Sequence, residues 1–477
     1  MEDSPDMKEQ DGQGIKPSLG GNPITTGSTW GTMWRLTWPM LLIMVLNFLV
    51  GFTDIYVAGL ISRDVQAAIG YVSQLYFLFI ILGNAISIGT VALVSRAFGA
   101  LEFEKVSQYV KQSLIFGLMV ALILMIIGLL FHEPIIKIAG FPLQIRTIAE
   151  TFFVIFSFAL GSNYLLIISS GIFRASAEVM KPLIAMSVFC IINIVLDFAL
   201  VFGWGPLPAL GYKGIAYSTA IAATVSMVIS ILFFFSGRWR RLLRGVWGIE
   251  RRTIIQIIKL GWPAGLLQVA WNAGSIILYH ILSRLGNESI TALASITNGL
   301  RIEAVIFMPA FAMNMAASVL VGQNLGAGKP QRAALFGWKI AFAAMITLSL
   351  LSCAIFIGAE FFASLLARDP AVLKETARYL RVNMFSEPFM ALSLVLGGAL
   401  QGAGDTKGNM WVIIFCMWVI RLPLAFVLAI PLGFGALGVW IAMVVSMMFQ
   451  GLLMAGRFYR GRWKTLKIEG LAAGEQK

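Results

Sequence analysis

Long uncharged, apolar stretches alternate with short polar connections along most of the chain. Residues 113–131 and 215–237 are two examples, and each has about the ~20 residues with which an α-helix crosses a bilayer. Residues 422–456 are also uncharged, but Pro431 and Gly433 predict a tight turn between two helices. The pattern therefore predicts an all-α membrane protein with about twelve transmembrane helices. Their starts are expected near Trp34, Gln66, Ser107, Gln144, Pro182, Gly214, Thr253, Glu288, Arg332, Val372, Gly408 and Ala436.

The composition fits a protein whose surface faces lipid. Hydrophobic residues make up 58% of the chain and charged residues only 12%, whereas soluble proteins average ~45–50% apolar and ~25% charged residues. These values exclude soluble enzymes, disordered scaffolds and secreted disulfide modules. The cysteines Cys190, Cys353 and Cys416 lie in apolar runs without a CxxC pair, so neither a disulfide framework nor a zinc site is expected.

Basic residues are concentrated in two places, which predict the orientation of the chain. They occupy the connection between predicted helices six and seven and the C-terminal tail: Arg238, Arg240, Arg241, Arg244, Arg251, Arg252, Lys259, Arg457, Arg460, Arg462, Lys464 and Lys467. Positive loops stay in the cytoplasm, and an even number of helices puts both termini on the same side. We therefore expect a multi-pass protein of the plasma (inner) membrane with both termini cytoplasmic. The formal net charge of +13 is assigned to topology rather than to nucleic acid, with lipid-headgroup or partner binding as the alternative.

Three motifs recur at a nearly constant spacing, which predicts two homologous halves. Pro39 and Pro263 are 224 residues apart, and the other two pairs are 227 apart. Six helices per half give parallel repeats with the same orientation, which is typical of secondary transporters. A central cavity between two fused halves needs no second subunit, so a monomer is expected. The motif pairs are LTWP (36–39) and LGWP (260–263), ALVSRAFGA (92–100) and VLVGQNLGA (319–327), and GIFRASAE (171–178) and GALQGAGD (398–405).

The duplication and the polar ends give a division of the chain into five parts. Residues 1–32 lack a signal peptide and are expected to be a disordered cytoplasmic tail. The two six-helix bundles are expected at 33–237 and 254–457, joined by a basic linker at 238–253. Residues 458–477 form the second cytoplasmic tail.

The chain carries no motif for nucleotide binding or for enzyme catalysis. It has no GxxxxGK[ST] loop, and His132 and His280 do not lie in an HExxH motif. No GxSxG nucleophile motif is present either. We therefore predict that the protein is not an enzyme and needs no cofactor, and that any pumping uses an H+ or Na+ gradient.

Two acidic residues inside predicted helices are the main candidates for chemistry, because a carboxylate is costly to bury in a membrane. Asp54 lies in helix one and Asp197 in helix five. Asn193 precedes Asp197 by four residues, so the two share one helix face. Two carboxylates and an amide offer oxygen ligands to a hard cation such as Na+. Alternatively, one of the two acids carries a proton.

The second half lacks counterparts of these acids and has other charges instead. Arg301 and Glu303 lie in helix eight, Glu387 in helix ten and Arg421 in helix eleven. They are candidates for a gate or structural bridge, with Glu303 and Arg421 as one suggested pair, or for substrate contacts. Pro39 is a candidate helix kink, because proline removes a backbone hydrogen bond, and it shares helix one with Asp54.

These motifs resemble the multidrug and toxic compound extrusion (MATE) transporters over most of the chain. The similarity rests on Trp38 and Pro39 with Asp54, on GIFR at 171–174, on Asn193 with Asp197, and on LVGQNLGAG (320–328) and LQGAGDT (400–406). It implies a V-shaped pair of six-helix bundles that exchanges amphipathic organic cations for H+ or Na+.

The resemblance also implies roles for individual residues. Asp54, Asn193, Asp197 and Thr219 match a coupling site in the N-terminal lobe. Where some members carry a helix-seven glutamate, this chain has Gln268 and Asn272, which are further candidates for a gate or for substrate contacts.

We therefore predict a secondary-active antiporter that exports amphipathic or cationic organic compounds such as drugs and toxins. The alternatives are a flippase for a lipid-linked saccharide precursor on the same fold, a membrane-embedded enzyme, and a channel or structural protein.

Overall fold

In the computed structural model, residues 23–205 and 208–466 are described. A short helix, Pro23–Thr26, precedes the first long helix, which begins at Thr29. The predicted tail boundary at residue 32 is therefore too late, because helix already begins within it; residues 1–22 of that tail lie outside the described residues. At the other end, the last long helix continues to Tyr459 and a 3-10 turn follows at Arg462–Thr465. The predicted start of the second tail at residue 458 is therefore too early, and residues 467–477 of that tail lie outside the described residues.

The described residues contain eleven continuous helices that are long and apolar enough to cross a membrane, and a broken pair that makes a twelfth span. This confirms the predicted number, and every observed start lies within five residues of the prediction. The helices are α1 (Thr29–Ile61), α2 (Arg63–Gly99), α3 (Phe103–Leu130), α4 (Leu143–Ala175), α5 (Met180–Phe202), α6 (Tyr212–Phe234), α7 (Arg251–Ser283), α8 (Ser289–Gly326), α9 (Pro330–Ile357), α10 (Pro370–Asn383 and Glu387–Gly402), α11 (Thr406–Ala429) and α12 (Gly435–Tyr459).

Proline and glycine explain the irregular places in the second half. Helix α10 bends by 57° between its two segments, and Pro388 stands in the first turn of the second segment. Helix α11 contains a π-helical turn, Cys416–Arg421, immediately before Pro423. Because proline cannot donate a backbone hydrogen bond, the helix has to adjust there. Gly433 and Gly435 adopt positive φ angles of 70° and 57° between α11 and α12, as the predicted turn requires.

The packing partners of the first six helices recur in the last six. Helix α2 packs along α4 and α5 along α6, and correspondingly α8 packs along α10 and α11 along α12. An acid before α5 or α11 also pairs with an arginine after α6 or near the end of α12: Glu178 with Arg238, and Asp405 with Arg457. We call α1–α6 the first bundle and α7–α12 the second bundle.

The segment between the bundles marks one end of the molecule, which we call the linker end. It contains a short helix, Gly237–Leu242, and its backbone accepts hydrogen bonds from the start of α3. Ser107 Oγ donates to the Leu242 carbonyl at 2.5 Å, and Lys111 Nζ to the Arg244 carbonyl at 2.9 Å. The predicted linker ended at residue 253, but α7 already begins at Arg251.

The two bundles are joined in the linker-side halves of α2, α7 and α8. Glycines allow backbones to touch there: a Cβ on Gly99 would collide with the Gln323 carbonyl, and one on Gly261 with the Ala85 carbonyl. Gln323 Nε2 also donates to the Ala175 carbonyl at 2.6 Å. Small residues at such crossings are typical of membrane helices. A joint at one end is the arrangement that a V-shaped pair of bundles requires.

Candidate functional site

Three helices of the first bundle bring the predicted coupling residues together. Asp54 comes from α1, Asn193 and Asp197 from adjacent turns of α5, and Thr219 from α6. Asn193 Nδ2 lies 3.3 Å from Asp54 Oδ1 and 3.2 Å from Thr219 Oγ1. The amide of Asn193 therefore joins the three helices at one point, on the side of the bundle remote from the linker.

The two carboxyl groups face each other within this group. The side chains of Asp54 and Asp197 are within hydrogen-bonding reach of one another. Carboxylates accept hydrogen bonds and cannot donate them, so a bond between the two needs a proton. Two ionised carboxylates at this range repel each other, and a proton or a bound cation removes that repulsion.

Ser218 also belongs to this group, although the sequence did not identify it. Its hydroxyl donates to Asp197 Oδ1, and the side chain is fully buried. A serine in a membrane helix does not by itself indicate a functional site, because hydroxyl side chains often bond to their own helix backbone. Its position beside Thr219 was the only available signal. Asp54, Asn193, Asp197, Ser218 and Thr219 are called the carboxylate cluster below.

The carboxylate cluster has unused acceptor capacity. Asn193 Oδ1 and Asp197 Oδ2 are buried and receive no hydrogen bond from any described residue. A buried acceptor without a partner costs roughly 1–3 kcal/mol. Asp197 Oδ2 can therefore take a proton, and both oxygens can coordinate a small oxygen-binding cation. No group of three or more His, Cys, Asp or Glu side chains that could hold a metal ion occurs within 23–205 and 208–466.

Burial differs between the two sides of the carboxylate cluster. Asn193 and Asp197 are fully buried, whereas Asp54 and Thr219 are half-buried. A ligand can therefore reach Asp54 without disturbing the core of the bundle, while Asp197 lies behind it.

The second bundle contains another buried polar group, formed by Glu303, Tyr379, Glu387 and Arg421. Each of the four is at most 4% exposed. The Glu303 carboxyl lies beside the Tyr379 hydroxyl, but neither Glu303 Oε1 nor that hydroxyl makes a hydrogen bond with a described residue. Glu387 follows the break in α10. Tyr379 was also missed by the sequence analysis, since a tyrosine in an amphipathic helix is usually a packing residue. We call these four residues the second-bundle cluster.

The suggested bridge between Glu303 and Arg421 is not a direct ion pair. Arg421 Nε instead donates to Ser446 Oγ at 2.8 Å, and its guanidinium lies 5.2 Å from the centre of the Trp271 ring. Glu303 and Arg421 interact only through longer-range electrostatic attraction.

The remaining candidates lie outside both clusters. Asn272 Nδ2 donates to the Gln268 carbonyl one turn earlier in α7, at 2.8 Å. Arg301 is exposed on α8, and Pro39 is buried within α1, well before Asp54.

A family model described as MatE matches the chain twice, at residues 39–199 and 263–427. The two matches correspond to the two bundles. Together they cover more than half of the chain.

Relatives with similar sequences span nearly the full length. "Probable multidrug resistance protein NorM" of Thermotoga maritima is 25% identical over 428 residues, which is 89% of this chain and 91% of the relative. A protein of the same name from Bradyrhizobium diazoefficiens is 28% identical and covers 88% and 91%. "Uncharacterized transporter YisQ" of Bacillus subtilis is 22% identical and covers 91% and 94%.

Solved structures share the fold. "Outward-facing conformation of a multidrug resistance MATE family transporter of the MOP superfamily" superposes with a TM-score of 0.86 at 20% identity, covering 94% of this chain and all of the other. "MATE transporter ClbM in complex with Rb+" gives a TM-score of 0.82 at 23% identity, covering 92% and 98%.

Proposed function

Because this chain belongs to the MatE family of membrane transporters, we propose that it exports amphipathic organic compounds, cations among them, in exchange for H+ or Na+. The meeting of Asp54 and Asp197 around the amide of Asn193 carries this proposal. Family membership also excludes the membrane-embedded enzyme that the sequence left open. The multidrug names of the relatives support organic compounds as the exported substrates.

The carboxylate cluster supplies the exchange chemistry. When a proton or Na+ is bound, the repulsion between Asp54 and Asp197 is relieved and the buried oxygens gain a partner. When it leaves, negative charge collects beside the half-buried Asp54, where an organic cation can replace it. Either cation then satisfies the same carboxylates, so the two compete for one site, as exchange requires.

Helix α1 connects this site to the rest of the molecule. It carries Asp54 near one end, contains Pro39 within its span, and packs against α8 of the second bundle. Binding of a proton or another cation at Asp54 changes the hydrogen bond between Asp54 and Asn193, and thereby the contact between α1 and α5. We propose that the bend at Pro39 transmits this change towards the joint between the bundles.

The membrane location of the protein follows from its family, and its orientation from its basic residues. The protein is a multi-pass membrane transporter, and we propose that the linker end faces the cytoplasm of the plasma (inner) membrane. The basic residues of the linker support this orientation. We also propose that the chain works as a monomer.

Transport into vesicles under imposed gradients tests the proposal. Reconstituted protein should move ethidium against its concentration gradient when either a pH gradient or a Na+ gradient is imposed alone. The gradient that drives this transport identifies the coupling ion. Asp54→Asn and Asp197→Asn should each abolish this transport, because each removes one of the two facing charges. Asp64→Asn is the matched control, since Asp64 is an exposed acid in the first turn of α2.

The outcomes separate the proposal from its rivals. Full gradient-driven transport by both cluster variants would falsify the coupling role of the carboxylates. Counterflow of labelled substrate distinguishes exchange from a channel. Transfer of a lipid-linked saccharide across the vesicle membrane, without ethidium transport, would establish the flippase instead.

A further inference from the structure

A cavity of about 300 Å³ opens at the linker end, between the start of α1 and the loop that joins α4 to α5. It is lined by Arg35 and Trp38 on one side and by residues 177–181 on the other. A second cavity of about 230 Å³ lies next to it along the first turns of α1, and Arg35 lines both. Neither cavity touches the carboxylate cluster.

The position of these cavities corresponds to the headgroup layer of a bilayer. Helix α1 has 33 residues and is therefore about 50 Å long, whereas the apolar core of a bilayer is ~30 Å thick. Its first turns consequently extend beyond the acyl chains. Trp30, Trp34 and Trp38 follow each other at intervals of four residues and are 54%, 61% and 37% exposed. Exposed tryptophans in such a row mark the membrane interface.

The charge around the main cavity is positive. Arg35 is exposed and makes no hydrogen bond or ion pair with any residue that the structure describes. Glu178 contributes one negative charge, but Lys181 lies 2.5 Å from it and Arg238 also pairs with it. Burial alone would raise the pKa of Glu178, but the hydrogen bond from Lys181 and the charge of Arg238 lower it below its usual value. Glu178 therefore stays ionised and compensated, and the four residues together carry two positive charges.

The corresponding place in the second bundle has a lysine beside its tryptophan. Trp262 occupies the repeat position of Trp38, and Lys407 in the first turn of α11 lies 5.9 Å from its ring centre. In the first bundle, Met180 stands at the repeat position of Lys407, and the next residue, Lys181, lies 4.9 Å from the ring centre of Phe173. Lys181 is directed towards Phe173 and Glu178, and the space beside Trp38 stays open.

We propose that this cavity binds the phosphate of an anionic phospholipid. Arg35 donates to the phosphate oxygens, because its guanidinium has free donors at headgroup level and suits phosphate geometry. Lys181 and Arg238 add positive potential. Trp38 and Met180, which is 48% exposed, flank the glycerol and the start of the acyl chains. Basic pockets between membrane helices are established binding places for anionic headgroups.

Lipid binding to the purified full-length protein tests this proposal without reference to transport. Native mass spectrometry from detergent, with phosphatidylglycerol or phosphatidylcholine added, should show retention of phosphatidylglycerol by the wild type. Arg35→Gln should weaken this binding about tenfold, since a charge-assisted hydrogen bond contributes roughly that factor. Arg35→Lys keeps the charge and should retain most of it. Arg240→Gln is the matched control, because Arg240 is an exposed arginine of the linker helix outside the cavity.

Three results would overturn the proposal. The first is equal retention of phosphatidylcholine. The second is an equal loss in Arg35→Gln and Arg240→Gln, which would indicate diffuse attraction. The third is full competition by glycerol 3-phosphate at concentrations similar to those of the lipid, which would indicate a site for soluble phosphates. Size-exclusion chromatography of each variant shows that binding is compared between folded proteins.

Discussion

Two neighbouring hydroxyls on α6 have different partners in the carboxylate cluster. Ser218 donates to the buried Asp197, whereas Thr219 accepts from the amide of Asn193. Both also lie within bonding distance of the Ile215 carbonyl, at 2.9 and 3.0 Å. The pair therefore offers a comparison in which the local backbone contact is the same, while the partner in the cluster and the burial of the hydroxyl differ.

We expect Ser218→Ala to reduce the initial rate of gradient-driven ethidium export by about tenfold or more. It leaves a fully buried carboxyl without its hydroxyl donor, and a hydrogen bond to a charged group contributes roughly 1.5–3 kcal/mol. Thr219→Val should lower the rate only a few-fold, because Thr219 is half-buried and water can replace its hydroxyl. Equal export rates for the two variants would contradict the claim that the hydrogen bond to Asp197 matters more for transport than the one between Asn193 and Thr219.

Among individual residues, the sequence predicted the acids of the two clusters but not their hydroxyl groups. Asp54 and Asp197 could be predicted because a carboxylate in an apolar helix is rare and expensive. Ser218 and Tyr379 could not, because serine and tyrosine are ordinary in membrane helices and only the three-dimensional packing brings Ser218 to Asp197 and Tyr379 to the side of Glu303. The absence of a direct bond between Glu303 and Arg421 likewise depends on Ser446 and Trp271, which approach Arg421 from other helices.

Among the helices, glycine determines how closely α7 approaches α2. Gly261 lies against the Ala85 carbonyl, so a methyl group there would displace one backbone from the other. Gly161, within α4, has no atom within 4 Å of the position that a Cβ would take. The two glycines are both inside long helices, and they differ in whether a second helix touches them.

We expect Gly261→Ala to lower the melting temperature of the purified protein and Gly161→Ala to leave it unchanged or raise it. Overpacking at a tight contact costs roughly 1–3 kcal/mol, whereas alanine in an open helical position gains about 0.5–1 kcal/mol over glycine. Thermal unfolding in detergent measures both. A stable Gly261→Ala variant would show that the contact between α7 and α2 is looser than its geometry indicates.

The existence and order of the helices were predictable, but their contacts were not. Apolar length alone gave each start to within five residues, since lipid imposes one requirement on every span. The break in α10 and the π-helical turn in α11 depend on Pro388 and Pro423 together with the neighbouring helices. A proline inside an apolar stretch signals an irregularity without specifying whether the helix bends, breaks or widens.

For the whole molecule, the constant spacing of the motifs predicted two halves, and the double match of one family model agrees with it. The place at which the halves join could not be predicted from the repeats, because the joint depends on contacts between the linker-side parts of particular helices. The proposed exchange requires this joint to part and re-form as the bundles rock. The bonds across it should therefore control how often the linker end opens.

Gln323 provides the test, because its amide donates to the Ala175 carbonyl of the other bundle at 2.6 Å. Spin labels at Glu104 and Gln331, which are exposed at the linker end of opposite bundles, report the separation there. We expect Gln323→Ala to increase the population with the longer distance about fivefold, since a net hydrogen bond contributes roughly 1 kcal/mol. Gln450→Ala is the matched control: Gln450 is also buried, but it donates to Ser393 at 2.8 Å within the second bundle. Its loss should lower stability and leave the distances unchanged. If neither variant differs from the wild type in its distance distribution, or if both shift equally, the joint is maintained by the glycine contacts rather than by this bond.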